Sequence, residues 1–215
     1  MFKKYIIVVL LMVVLCGSCL AKEKYDNKTY KQLLGKALKF DKSLDFEKLR
    51  LAYARTSYYN PYDNSQKKTK DEMMAALKAK QYKKSIALAN SLLKKNFLNP
   101  DAHLICFYAY RGLKDKKNAS FHNYMLNGIV ASILKSGSGK TPASAYKVIS
   151  IKEEYAVLGS LSLSVLKQKL IRKNGNDYDK MSVRSKKTGK TFDVYFNVNI
   201  PLNWMAERIK QQKKK

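Results

Sequence analysis

The order of patterns in the sequence predicts an α+β fold: a helical N-terminal part, then a small antiparallel sheet, then a C-terminal helix. Three observations carry this. Apolar residues recur at helical spacing from residue 25 to about residue 134. Beyond Ser136 the period changes to two, with turn residues between the runs. Pro201 then opens one last segment, at the first-turn position where proline is tolerated best. Grouped rather than alternating elements belong to the α+β class. With 46% hydrophobic and 27% charged residues, the chain has an ordinary globular composition and can bury a core.

In the helical part, residues 27–40 carry Tyr30, Leu33, Leu34, Ala37 and Leu38 as one stripe. Asp45 is a good N-cap for a helix over 46–55. An aromatic loop around Pro61 follows, and then four helices are expected over 69–80, 82–95, 100–112 and 115–134. The segments starting at Lys78 and at Gly112 align at an offset of 34 residues, the period of tetratricopeptide helix pairs. We therefore read a TPR-like layer of fewer than the roughly three repeats that stack stably alone. Its helices need another packing partner, and the sheet would supply it.

In the sheet part, 145–151 and 161–171 read as strands, and Asn174-Gly175 is a turn signal. Residues 178–185 and 191–200 bracket a short basic loop and read as a hairpin. Phe192, Val194, Phe196, Val198 and Ile200 alternate with polar residues, as a half-buried strand requires. A helix over 202–210 and a basic tail close the chain. The expected organisation is a leader over 1–21, a helical region over 22–135 and a sheet region over 136–215, the last two forming one compact unit.

The leader rests on Lys3 and Lys4, the apolar run over 5–15, and the small residues up to Ala21. This is the layout of a secretory signal, with an apolar run too short to cross a bilayer permanently. Two processing outcomes stand: cleavage after Ala21, or lipidation at Cys19 with membrane anchoring. Either way the chain is expected outside the cytoplasm, in the periplasm or on the outer surface of a bacterial envelope. Only Cys106 then remains in the body, which excludes an internal disulfide scaffold; it sits in an apolar segment and is read as buried.

The formal net charge is +27. Of the 43 basic residues only six are arginine. Specific phosphate and base recognition favours the arginine fork, so no specific nucleic-acid target is expected. An anionic envelope polymer, a protein or a peptide fits such a field better.

Few motifs carry chemistry. Residues 136–141, Ser-Gly-Ser-Gly-Lys-Thr, resemble the end of a phosphate-binding loop, but Leu134 stands where that motif needs glycine. The structural reading is a helix C-terminal cap, with Gly137 or Gly139 at positive φ, at the junction of the helical and sheet halves. His103 and His122 lie on successive expected helices and read as interhelical contacts. Glu153, Glu154 and Tyr155 follow an expected strand, where neighbours point to opposite faces, so surface charge or a cap is expected. Tyr53, Tyr58, Tyr59 and Tyr62, with Arg50 and Arg55, form an aromatic cluster read mainly as packing. No nucleophile elbow, HExxH motif or zinc spacing occurs, and no metal or cofactor is expected.

Several of these pieces together resemble the Domain of Unknown Function 4919 family of bacterial exported proteins. They are Asp45-Phe-x-x-Leu-Arg50-x-x-Tyr53, Tyr59-Asn-Pro-Tyr62 and the loop from Ser136 to Pro142. Val148 to Tyr155, Tyr178-Asp-Lys-Met181 and Tyr195-Phe-Asn-Val-x-Ile-Pro-x-x-Trp204 complete the set. The resemblance implies that the glycine loop and the tyrosine segment are structural hallmarks. It supplies no catalytic residues.

The function expected is that of a non-catalytic binding or scaffold protein of the envelope. The alternative is an envelope hydrolase, with a site where the two halves meet, near His122, Ser136, Glu153 and Tyr155.

Overall fold

Side-chain caps set where the helices begin. Asp45 Oδ1 accepts from Lys48 N at 2.9 Å, Asn99 Oδ1 from Ala102 N at 3.2 Å, and Asp115 Oδ1 from Asn118 N at 3.0 Å. The computed structural model describes residues 25–63 and 66–213; the leader with Cys19 lies outside them. Six helices come first: α1 Asn27–Leu38, α2 Phe46–Ala54, α3 Lys67–Lys78, α4 Tyr82–Lys95, α5 Pro100–Gly112 and α6 Lys116–Leu134. A 3-10 turn, Pro142–Ser144, leads to strand β1 Tyr146–Lys147 and helix α7 Ile151–Ser160. Strands β2 Leu163–Lys173, β3 Asn176–Ser185 and β4 Thr191–Asn197 follow, and helix α8 Asn199–Gln212 ends the described chain. The fold is α+β.

The 34-residue offset corresponds to a repeated turn. Lys80 and Lys114 both take left-handed φ, 57° and 60°. In each case the next residue's N–H reaches back to close the helix end: Gln81 N to Ala76 O at 2.8 Å, Asp115 N to Tyr110 O at 2.9 Å. Gly112 is small because the Tyr82 ring packs against it. Helices α3 to α5 enclose a minor core of Met73, Ala89, Leu92, Ile105 and Cys106, so Cys106 is buried as expected.

The sheet order is β1-β4-β3-β2. The expectation of a purely antiparallel sheet is corrected at one edge, where β1 pairs parallel to β4 through Tyr146–Phe196 and Lys147–Asn197. Asn174 and Gly175, at φ 50° and 73°, form the two-residue turn between β2 and β3, whose twist matches the strands it joins. The strand expected over 145–151 is cut to two residues. Val148 and Ile149 are a buried connector, and α7 starts at Ile151. The last strand ends at Asn197, short of the expected Ile200: Val198 N still bonds to Asp177 O of β3 at 3.0 Å, and α8 then begins at Asn199. Pro201 is the third residue of α8, where its missing N–H costs no helical bond.

One large core joins both halves. Met125, Ile129 and Ile133 of α6 and Leu49 and Tyr53 of α2 share it with Val157, Met181, Val183, Val194 and Phe196. One face of the sheet is thus buried under the preceding helices.

Candidate functional site

The first turn of α7 sends four consecutive side chains to three different places. Glu153 goes to Arg50, Glu154 into a pocket above the sheet, and Lys152 and Tyr155 to a groove among the helices. The surface-charge expectation for the two glutamates is therefore corrected: they are 1% and 0% exposed. The error came from reading a strand where a helix begins.

Arg50, on α2, is 2% exposed. Its Nε donates to Glu153 Oε1 and its Nη2 to Glu153 Oε2, both at 2.7 Å. Nη1 donates to Ser132 Oγ at 3.2 Å and Nη2 also to the Lys147 carbonyl at 2.9 Å. Ile149 N donates to Glu153 Oε2 at 2.9 Å. Burying two ions is costly, and only bidentate geometry with most remaining donors satisfied offsets it. These bonds tie α2, α6, α7 and the edge of β1 together. With both charges consumed internally, the pair acts as a structural bridge.

Around it lies the aromatic cluster. Tyr53 packs against Tyr30 and Tyr58, with ring centroids 5.4 and 6.1 Å away. Tyr59 is buried, donates its hydroxyl to the Ile149 carbonyl, and meets Trp204 edge-on. Tyr62 is half-buried, 6.3 Å from the Trp204 ring. The packing reading holds for Tyr53 and Tyr59, whereas Tyr62 also lines a pocket.

The glycine loop is structural, and Gly139 takes the expected positive φ, but it lies beyond the end of α6 at Leu134 and does not cap that helix. Ser138 N and Gly139 N both donate to the Ser144 carbonyl, at 2.9 and 2.8 Å. A Cβ on Gly137 would strike that same carbonyl, and Gly139, at φ 68°, lies under the Tyr146 ring. Ser136 Oγ accepts from Lys147 N at 2.8 Å, fastening the loop to β1.

His122 bonds to His103, Nδ1 to Nδ1 at 2.9 Å, and His103 Nε2 bonds to the Phe97 carbonyl at 2.7 Å. The carbonyl can only accept, so His103 carries its proton on Nε2 and His122 donates from Nδ1. Burial lowers both, His103 to about 3 and His122 to about 4, and both rings are neutral at pH 7. His122 and Glu153 thus have separate partners, and no hydrogen bond joins them.

Glu154 meets Asp179, a residue that sequence reasoning did not single out as functional. Asp179 lies on the core-facing side of β3, opposite Leu170 and Phe196 and in register with Met181 and Val183. An acidic residue in that apolar alternation is the signal that could have found it. Burial first, then Asp179, pushes the Glu154 carboxyl up to about 9, and burial raises Asp179 as well. Together they line a cavity of about 200 Å³ whose other walls are chiefly apolar.

Next to it along α7, two hollows of about 310 and 430 Å³ meet at Tyr155. Tyr155 and Tyr108 are each 48% exposed, and Ile151 is 41%. Lys70 is paired with Asp101 at 2.5 Å, whereas the half-buried Lys152 amine has no ion pair among the described residues. Its burial lowers its pKa, against the pull of Asp101 and Asp63. No described helix is long and apolar enough to cross a membrane.

These features define an α+β protein with an internal ionic bridge and several hollows along one helix. The chain belongs to the family described as Domain of unknown function (DUF4919), which matches residues 21–207. No curated protein and no solved structure matches it.

Proposed function

We propose that this is an exported, non-catalytic binding protein of the bacterial cell envelope. The groove at Tyr155 takes an acidic peptide segment of a partner protein. The observation that carries this reading is the pair of hollows meeting at Tyr155. They offer exposed aromatic and aliphatic surface beside a partly desolvated lysine, Lys152, that has no ion pair among the described residues. Exposed apolar ground of that kind marks an interaction site, and a carboxylate on the partner would complete Lys152. The excess of basic residues draws such a partner in. The secretory layout of the leader supports export, and membrane contact would come only through a lipid on Cys19.

The test is a pull-down from envelope extracts with wild type beside Tyr155→Ala and Lys152→Glu variants. A protein recovered by the wild type and lost with both variants is the expected result. Recovery of an anionic polymer instead would replace the peptide, and equal recovery by all three baits would remove the groove. Mass spectrometry of the mature N-terminus reads the leader: a start at Lys22, or a lipid on Cys19, is expected, and intact Met1 in cytosol overturns export.

A further inference from the structure

The Glu154 pocket is a second hollow beside the groove, with Ile151 bordering both. Glu154 is fully buried, and neither of its carboxyl oxygens receives a hydrogen bond from a described residue. A buried polar group without a hydrogen-bond partner is costly, and more so when charged. The proton it keeps faces Asp179, whose Oδ2 accepts from Gln168 Nε2 at 2.8 Å. At pH 7 the Glu154 carboxyl therefore keeps its proton. The titratable groups facing Glu154 are Asp179 from β3 and Glu153 from its own helix, with the Tyr62 phenol on the pocket wall. Leu170, Leu202 and Met205 supply apolar wall.

We propose that this pocket binds a primary ammonium group on a short aliphatic stem, gripped between the Glu154 and Asp179 carboxyls. An ammonium brings three donors to acceptors that lack them, and the apolar walls match a methylene chain. The cavity of about 200 Å³ equals roughly seven water volumes at ~30 Å³ each, room for a lysine side chain or a short alkylamine. A metal ion fits less well. Calcium takes roughly six to eight oxygens, and no group of three or more His, Cys, Asp or Glu among the described residues is placed to hold an ion. A sugar would leave most of its hydroxyls unpaired against leucine and methionine. On binding, Glu154 releases its proton to solvent, and the cation sits against two carboxylates.

The test is isothermal titration calorimetry at pH 7 on protein produced from the full sequence. The probes are n-pentylamine and Nα-acetyl-lysine amide, with 1-pentanol and pentanoate as controls. The expected result is one saturable site for an amine, with heat that changes with the buffer's ionisation enthalpy because a proton leaves. The stronger amine tells a free alkylamine from a peptide lysine. Glu154→Gln mimics the neutral acid and should weaken binding at least tenfold, as should Asp179→Asn. If circular dichroism shows either variant unfolded, Leu202→Trp fills the pocket with both carboxyls in place and should abolish binding. No amine binding, pentanol binding as tightly as the amine, or undiminished binding in a folded variant would each overturn the proposal. The Tyr155→Ala variant should bind amines normally, which separates this site from the groove.

Discussion

Arg50 and Glu153 cannot be removed singly without leaving a charge buried alone. Arg50→Met or Glu153→Gln should each cost about 3–5 kcal/mol in urea unfolding, and the double replacement Arg50→Met/Glu153→Leu should cost less than the two singles summed. Additive losses would mean that the two side chains act independently. The ionisable residues also shape stability against pH, in opposite senses. His103 and His122 have folded values of about 3 and 4 against an ordinary 6.5. As pH falls below 6.5 the unfolded chain takes up protons first, so their contribution is full above 6.5 and is lost progressively down to about 4 for His122 and about 3 for His103. Glu154 is raised from 4.5 to about 9. Above 4.5 only the unfolded chain gives up this proton, so stability declines towards pH 9. Thermal melts at stepped pH should therefore show that decline in wild type and a flatter alkaline side in Glu154→Gln. Most of these residues were visible in the sequence, but their pairings were not. Arg50 and Glu153 stand 103 positions apart, and no local pattern joins them. The two histidines were read as interhelical, and their mutual bond follows from α5 and α6 being neighbours.

The glycine positions separate two causes at the level of the element. Gly139 and Gly175 are both left-handed, but only Gly139 has a ring against it. Gly139→Ala should cost about 2 kcal/mol or more from strain plus overpacking, while Gly175→Ala should cost only the conformational part, about 1 kcal/mol. Equal losses in chemical denaturation would mean that Tyr146 yields freely. Element type was legible wherever a period ran long: the first six helices and the β3–β4 hairpin appear close to their expected bounds. It failed over 145–151, where a short apolar run fits a buried strand, a connector or a helix start equally well. The Ser150-to-Glu153 spacing, a helix-start pattern, was the better guide there. Placing Glu153 and Glu154 on a strand then sent both to the surface.

For the whole molecule, helices followed by a sheet could be read from the change of period at Ser136. The mixed sheet could not. Its parallel edge is a two-residue strand whose partner lies some fifty residues on, and non-local pairing leaves no trace in composition. The proposed groove was equally hidden, because it forms only where α3, α5, α6 and α7 converge. Charge acts at this scale too. With 43 basic against 16 acidic residues, capture of an acidic partner should weaken steeply as ionic strength rises past the point where the screening length falls below ~10 Å. Pull-downs at graded salt read this directly, and salt-independent capture would assign the groove a purely apolar partner.

The bridge from α2 to α7 also says what would happen to a chain severed in the glycine loop. Each fragment would carry one member of an ionic couple whose mate is on the other, along with half of an oily interior. Neither piece should stand alone, yet together they have every reason to reunite. The loop between Ser136 and Pro142 is thus a natural place to split the protein into a complementing pair.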